Sequence, residues 1–175
     1  DKGGTENAQI YLLDTSNASA KLLSDGKSRN GGPLWSTDGE KIAFQSTKRN
    51  GRSNDIWIMN VMNTEEAQMV LESPDGTWWG ASDWTEDDKT ILVQNYISIT
   101  NSKIYLVDVE TQKKQLILGK EEEPSANSAL AFDKDDKGVF YITDKFSQFS
   151  QLTYHNLESG EDLIISSEIP WDVDG

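Results

Sequence analysis

The chain is 175 residues long with a formal net charge of −14 and a pI near 4.4, which allows one core of ordinary size or about four small repeated units. That acidity excludes a phosphate-backbone binder, which needs a net or locally dense positive field, so nucleic acid is not expected as a partner. With no cysteine there can be no disulfide or thiolate metal site, and no apolar run is long enough to span a bilayer.

The N-terminus, Asp1-Lys2-Gly3-Gly4, has neither an initiator Met nor a signal-peptide core, so a piece cut from a longer protein is expected. Residues 8–14 and 19–24 read as two strands, and the turn formers from Asp25 to Pro33 lead away from them. Trp35-Ser36-Thr37-Asp38-Gly39-Glu40-Lys41-Ile42-Ala43-Phe44 then describes a hairpin, an aromatic and a polar Asp-Gly turn followed by apolar alternation. Asp55-Ile56-Trp57-Ile58-Met59-Asn60 supplies a third strand, giving strands near 32–36, 40–46, 54–60 and 67–72.

The same unit returns twice. Trp84 to Val93 begins 49 residues after Trp35, and Phe132 to Tyr141 begins 48 residues after Trp84. The third strands keep step, with Ile10, Ile56, Ile104 and Leu152 spaced by 46, 48 and 48 residues. A period in the forties with several alternating strands per unit predicts a β-propeller with one four-stranded blade per repeat. The expected fold is all-β, a propeller segment of about three complete antiparallel blades with partial blades at each end. As a single domain over residues 1–175, it divides into a half blade at 8–24, blades at 32–72, 78–119 and 126–166, and the start of another at 168–175. The expected core places Trp35, Trp84 and Phe132 at one repeat position and Ile42, Ile91 and Val139 at a second. The third-strand pairs Ile10/Leu12, Ile56/Ile58, Ile104/Leu106 and Leu152/Tyr154 join them.

The string Trp35-Ser36-Thr37-Asp38-Gly39-x-x-Ile42-Ala43-Phe44 with Asp55 to Asn60 closely resembles the repeat of TolB-type and prolyl-oligopeptidase-family propellers. The resemblance runs from about residue 8 to the end, although Glu86-Asp87-Asp88 and Lys134-Asp135-Asp136 replace the Asp-Gly turn in the later copies. Asn95 to Ile99 and Ile169 to Val173 are similar to strings in bacterial serine peptidases of that family. The resemblance implies a parent enzyme with a C-terminal α/β-hydrolase domain, and a propeller that guides peptide substrates or binds a partner protein. The alternative it leaves open is a TolB-like interaction module with no enzyme attached.

No catalytic set is expected within the chain. The nearest string to a nucleophile elbow, Gly80-Ala81-Ser82-Asp83-Trp84, lacks the final glycine, and the single histidine, His155, sits in a predicted strand. Asp133 to Gly138 imitates a calcium loop but puts lysine at a ligand position, so a turn is expected there, and neither a metal nor a cofactor. Up-and-down topology collects the Asp- and Glu-rich turns on one face, and on the other the basic and aromatic loops. Arg49, Arg52, Trp78, Trp79 and Tyr96 from those loops are the candidate recognition surface, since aromatic anchors beside guanidinium groups favour binding.

Overall fold

The structure, a computed structural model, describes residues 3–74 and 76–174. The chain divides into two compact units, residues 1–81 and 82–175. In the first, β1 (Tyr11–Asp14) and β2 (Ser19–Leu22) form a two-stranded antiparallel sheet. β3 (Asn30–Trp35), β4 (Lys41–Ser46), β5 (Asp55–Asn60) and β6 (Gln68–Leu71) follow as a four-stranded meander. A 3-10 turn at Thr64–Glu66 precedes β6.

The second unit holds two further meanders, the first of which opens with β7 (Trp78–Trp84), a strand that starts in the last residues of the first unit. β8 (Thr90–Ser98), β9 (Asn101–Asp108) and β10 (Lys114–Leu118) complete it. β11 (Asn127–Phe132), β12 (Gly138–Thr143), β13 (Gln151–Asn156) and β14 (Asp162–Ile164) form the other. Three complete four-stranded blades and one partial blade are the architecture of a propeller segment. Residues 168–174 form no strand, although the start of another blade was expected there and Gly175 lies outside the described residues. A first strand is a strand only once a neighbour pairs with it. Here the Val173 N–H donates to the Ser150 carbonyl and the Asp172 carboxylate accepts from the Ser150 N–H.

The repeated hairpin has one geometry with two chemistries. Gly39 N–H donates to the Ser36 carbonyl, Asp88 to Thr85 and Asp136 to Asp133, so each turn closes on the same bond. The closing residue is left-handed in all three, with φ of 71° at Gly39 and 56° at Asp88 and Asp136. Aspartate is among the few residues that tolerate this region, which is how the later copies keep the turn without glycine. A side chain then ties the loop. The hydroxyls of Ser36 and Thr85 accept from the N–H groups of Lys41 and Thr90 and donate to Asp38 and Asp87, whereas in the third copy Asp133 accepts from Asp135, Lys137 and the Tyr154 hydroxyl.

Each unit packs one sheet on the next. In the first, Ile10 and Leu23 meet Ile42, Phe44, Met59 and Val61, and in the second Leu92, Ile104 and Leu118 meet Phe132, Val139 and Tyr141. Trp84 and Phe132 are buried as expected, but Trp35 is 47% exposed. Phe132 is covered by Leu92 of a second strand, and the two-stranded sheet beside β3 has no such strand to offer Trp35. The third copy departs again, since β13 buries Gln151, Thr153 and His155 and leaves Leu152 and Tyr154 half-buried.

Two measurements check this account of the fold. Trp84→Ala should lower stability by about 3–5 kcal/mol and Trp35→Ala by less than about 1 kcal/mol, read as urea midpoints at constant slope. At Gly39, where an added Cβ would meet nothing within 4 Å, only the backbone conformation opposes substitution. Gly39→Ala should cost about 1 kcal/mol and Gly39→Asp clearly less, because Asp88 and Asp136 already occupy that position.

Candidate functional site

The loop from Thr47 to Asn54 joins β4 to β5 and carries both candidate arginines. The Asn50 side-chain carbonyl accepts from the N–H groups of Arg52 and Ser53, which shapes its tip. Arg49 turns inward. Its guanidinium donates to Asp55 through Nε at 2.9 Å and Nη2 at 3.0 Å, pairs with Glu72 through Nη1 at 3.0 Å, and donates to the Ser73 carbonyl. Asp55 is fully buried and also accepts the Ser73 N–H at 2.9 Å. Hydrogen bonding to Asp55 raises the Arg49 pKa, partly offset by burial and reinforced by the charges of Asp55 and Glu72. The fork is therefore occupied in holding the loop to the segment after β6, which removes Arg49 from the candidate surface. Arg52 is exposed and makes no ion pair within the described residues.

Trp79 is the second correction. It is 2% exposed, so it contributes packing rather than contact, while its neighbour Trp78 is 43% exposed. Successive residues of a strand point to opposite faces, so this pair divides between core and surface. The Trp78 ring lies over Gly80, where a Cβ would come within 2.3 Å of the indole. It lines a shallow groove of about 330 Å³ with Arg29, Gln45, Asn54 and the Gly31 backbone. Gln45 and Asn54 were not singled out by sequence; uncharged amides carry no charge or aromatic signal. Tyr96, in the second unit, is 41% exposed beside a register shift in β8.

Two carboxylates of the second unit, Asp133 and Asp162, have structural partners. Asp133 is pushed up by burial, but the Tyr154 hydroxyl and the N–H groups of Lys137, Asp135 and Gly138 outweigh this and leave its pKa below the ordinary range. Those donors occupy the oxygens that a calcium ion would need. His155 lies on β13 with Nδ1 2.8 Å from Asp162 Oδ1. Among the described residues no serine or threonine hydroxyl is hydrogen-bonded to His155. Among the described residues no helix is long and apolar enough to cross a membrane.

The class defined by these blades is the TolB-type propeller, the fold shared by TolB and the propellers of prolyl-oligopeptidase-type peptidases. No family model matches the chain. It is similar to TolB from Acinetobacter baumannii, with a TM-score of 0.74 and 17% identity over 95% of this chain and 39% of that one. A prolyl endopeptidase structure matches with a TM-score of 0.64 and 16% identity, over 92% of this chain and 26% of the other. Among curated proteins, the uncharacterized peptidase YuxL of Bacillus subtilis is 24% identical over 166 residues. That match covers 88% of this chain and 23% of the relative, so the chain spans about a quarter of the peptidase's length.

Breaking the Arg49 clamp leaves a buried carboxylate without its cation. Arg49→Ala should therefore lower Tm by roughly 5–10 °C, whereas Arg52→Ala on the same loop should move it by less than about 1 °C, as read by thermal unfolding.

Proposed function

We propose that this chain is the propeller part of a serine peptidase of the prolyl oligopeptidase family, a non-catalytic scaffold that governs how peptides reach an α/β-hydrolase domain elsewhere in the longer protein. The observation that carries this reading is the match to a peptidase along 88% of the chain, within less than a quarter of that relative's length. A relation of that shape is what an accessory domain of a larger enzyme would give. Recognition on this reading falls to Arg52 and Trp78 in the first unit and Tyr96 in the second, each exposed.

A TolB-like interaction module without an attached enzyme is the second reading, favoured by the TM-score of 0.74 to TolB. The open reading frame separates the two. A Gly-x-Ser-x-Gly string after residue 175, with later Asp and His, supports the peptidase, and a stop once the ring closes supports the module.

The purified 175-residue chain should hydrolyse no peptide p-nitroanilide, and turnover that is lost with His155→Ala would overturn the non-catalytic reading. In the longer protein, Arg52→Ala with Trp78→Ala should raise KM at least about fivefold with kcat little changed. Charge reversal at Asp87 and Asp88 should leave both within about twofold; the opposite pattern would place recognition on the acidic turns.

A further inference from the structure

One blade buries a polar network where another of the same chain buries hydrocarbon. The register pairs Ile42 with Met59 across β4 and β5, and Val139 with His155 across β12 and β13. Phe44 therefore corresponds to Tyr141 and Met59 to His155. Ala67, the residue before Gln68, corresponds to Asp162, the cross-strand partner of His155. Phe44, Met59 and Ala67 belong to an apolar cluster, and the middle complete blade has fully buried Val93 and Val107 at the first two positions. The fold is thus satisfied by apolar side chains here. In the last blade Asp162 Oδ1 instead takes His155 Nδ1 at 2.8 Å and the Tyr141 hydroxyl at 3.0 Å, and Oδ2 takes Lys145 Nζ at 3.4 Å.

Burying such groups costs free energy that an apolar trio would not, and only their mutual hydrogen bonds offset it. A cavity of about 280 Å³ lies against the network, lined by His155, Asp162, Lys145, Lys120 and Asn127 with Leu118 at its apolar side. Asn127 is rigid because its amide donates to the carbonyls of Ser102 and Ser125 and its oxygen accepts from Thr143. Burial and the Asp162 charge push the Tyr141 phenol far up, so it stays a donor to that carboxylate.

The donor count decides the ligand. Both acceptor positions of Asp162 Oδ1 are taken, and Glu123, the other carboxylate of the lining, is on an exposed loop. What the cavity offers is the ammonium groups of Lys145 and Lys120, both exposed at its rim, and inside it His155 Nε2, which accepts because Asp162 holds the ring proton on Nδ1. We propose that this cavity binds a small N-acylated carboxylate, its oxygens received by Lys145 and Lys120 and its N–H donated to His155 Nε2, with Asp162 holding the imidazole in that tautomer. The site is independent of whether the chain belongs to a peptidase, since it rests on one interface of the second unit.

Titration calorimetry of the 175-residue chain with N-acetyl-L-alanine, its amide and inorganic phosphate tests the site. Saturable binding of the acid near roughly 1 mM is expected, at least about tenfold tighter than the amide or phosphate. Amide NMR shifts should be confined to the cavity-lining segments. The triple variant Tyr141→Phe/His155→Met/Asp162→Ala, which installs the first complete blade's side chains, should fold and lose the binding. Lys145→Met, at a half-exposed position, should weaken it at least about tenfold even if the triple variant does not fold. No saturable binding, equal binding of the amide or of phosphate, or unchanged affinity in folded Lys145→Met would each overturn the proposal.

Discussion

The cross-strand register of the second and third strands is the constraint on which the rest of this chain depends. Ile42 faces Met59, Ile91 faces Val107 and Val139 faces His155, and each hairpin is closed by the same left-handed residue. A slip of one residue would exchange the two faces of a sheet and carry its apolar set to solvent. Because the register is held three times, equivalent positions of the second and third strands pair alike, and a difference in chemistry at one of them can be read directly.

Those differences are polar, and burying them is costly unless they are paired. The Arg49–Asp55 pair sets a half-buried guanidinium on a fully buried carboxylate, and its geometry is good enough to offset desolvation: a bidentate fork, with a further N–H from Ser73 on the same carboxylate. It stabilises one loop and leaves Arg52 at that loop's exposed tip. The Tyr141–Asp162–His155 network has no such structural motive, since hydrocarbon fills the same positions elsewhere in the chain.

The blade architecture alone does not choose a biochemical role. TolB and a prolyl endopeptidase share it with this chain at 17% and 16% identity, an interval in which likeness speaks to the fold. What bears on function is the set of side chains that the blades leave at their loops and cavities. Of the five residues that charge and aromaticity single out, Arg52, Trp78 and Tyr96 stay exposed, while Arg49 and Trp79 are consumed by the structure itself.

The period, the strand count and the hairpins were legible in the residues because their causes are local: alternation along a strand, and a turn position that accepts Gly39, Asp88 or Asp136. What lies against each face was not, since that depends on segments far away in sequence. Trp35 and Trp84 occupy one repeat position and look alike on the page. One is half exposed because the sheet beside it has two strands. Trp78 and Trp79 are adjacent, so alternation says that they diverge, but only the packed sheets decide which goes inside. His155 read as an ordinary strand residue for the same reason: Asp162 follows it closely in sequence, whereas Tyr141, Lys145 and the cavity wall at Leu118 and Asn127 come together only when two blades close on each other.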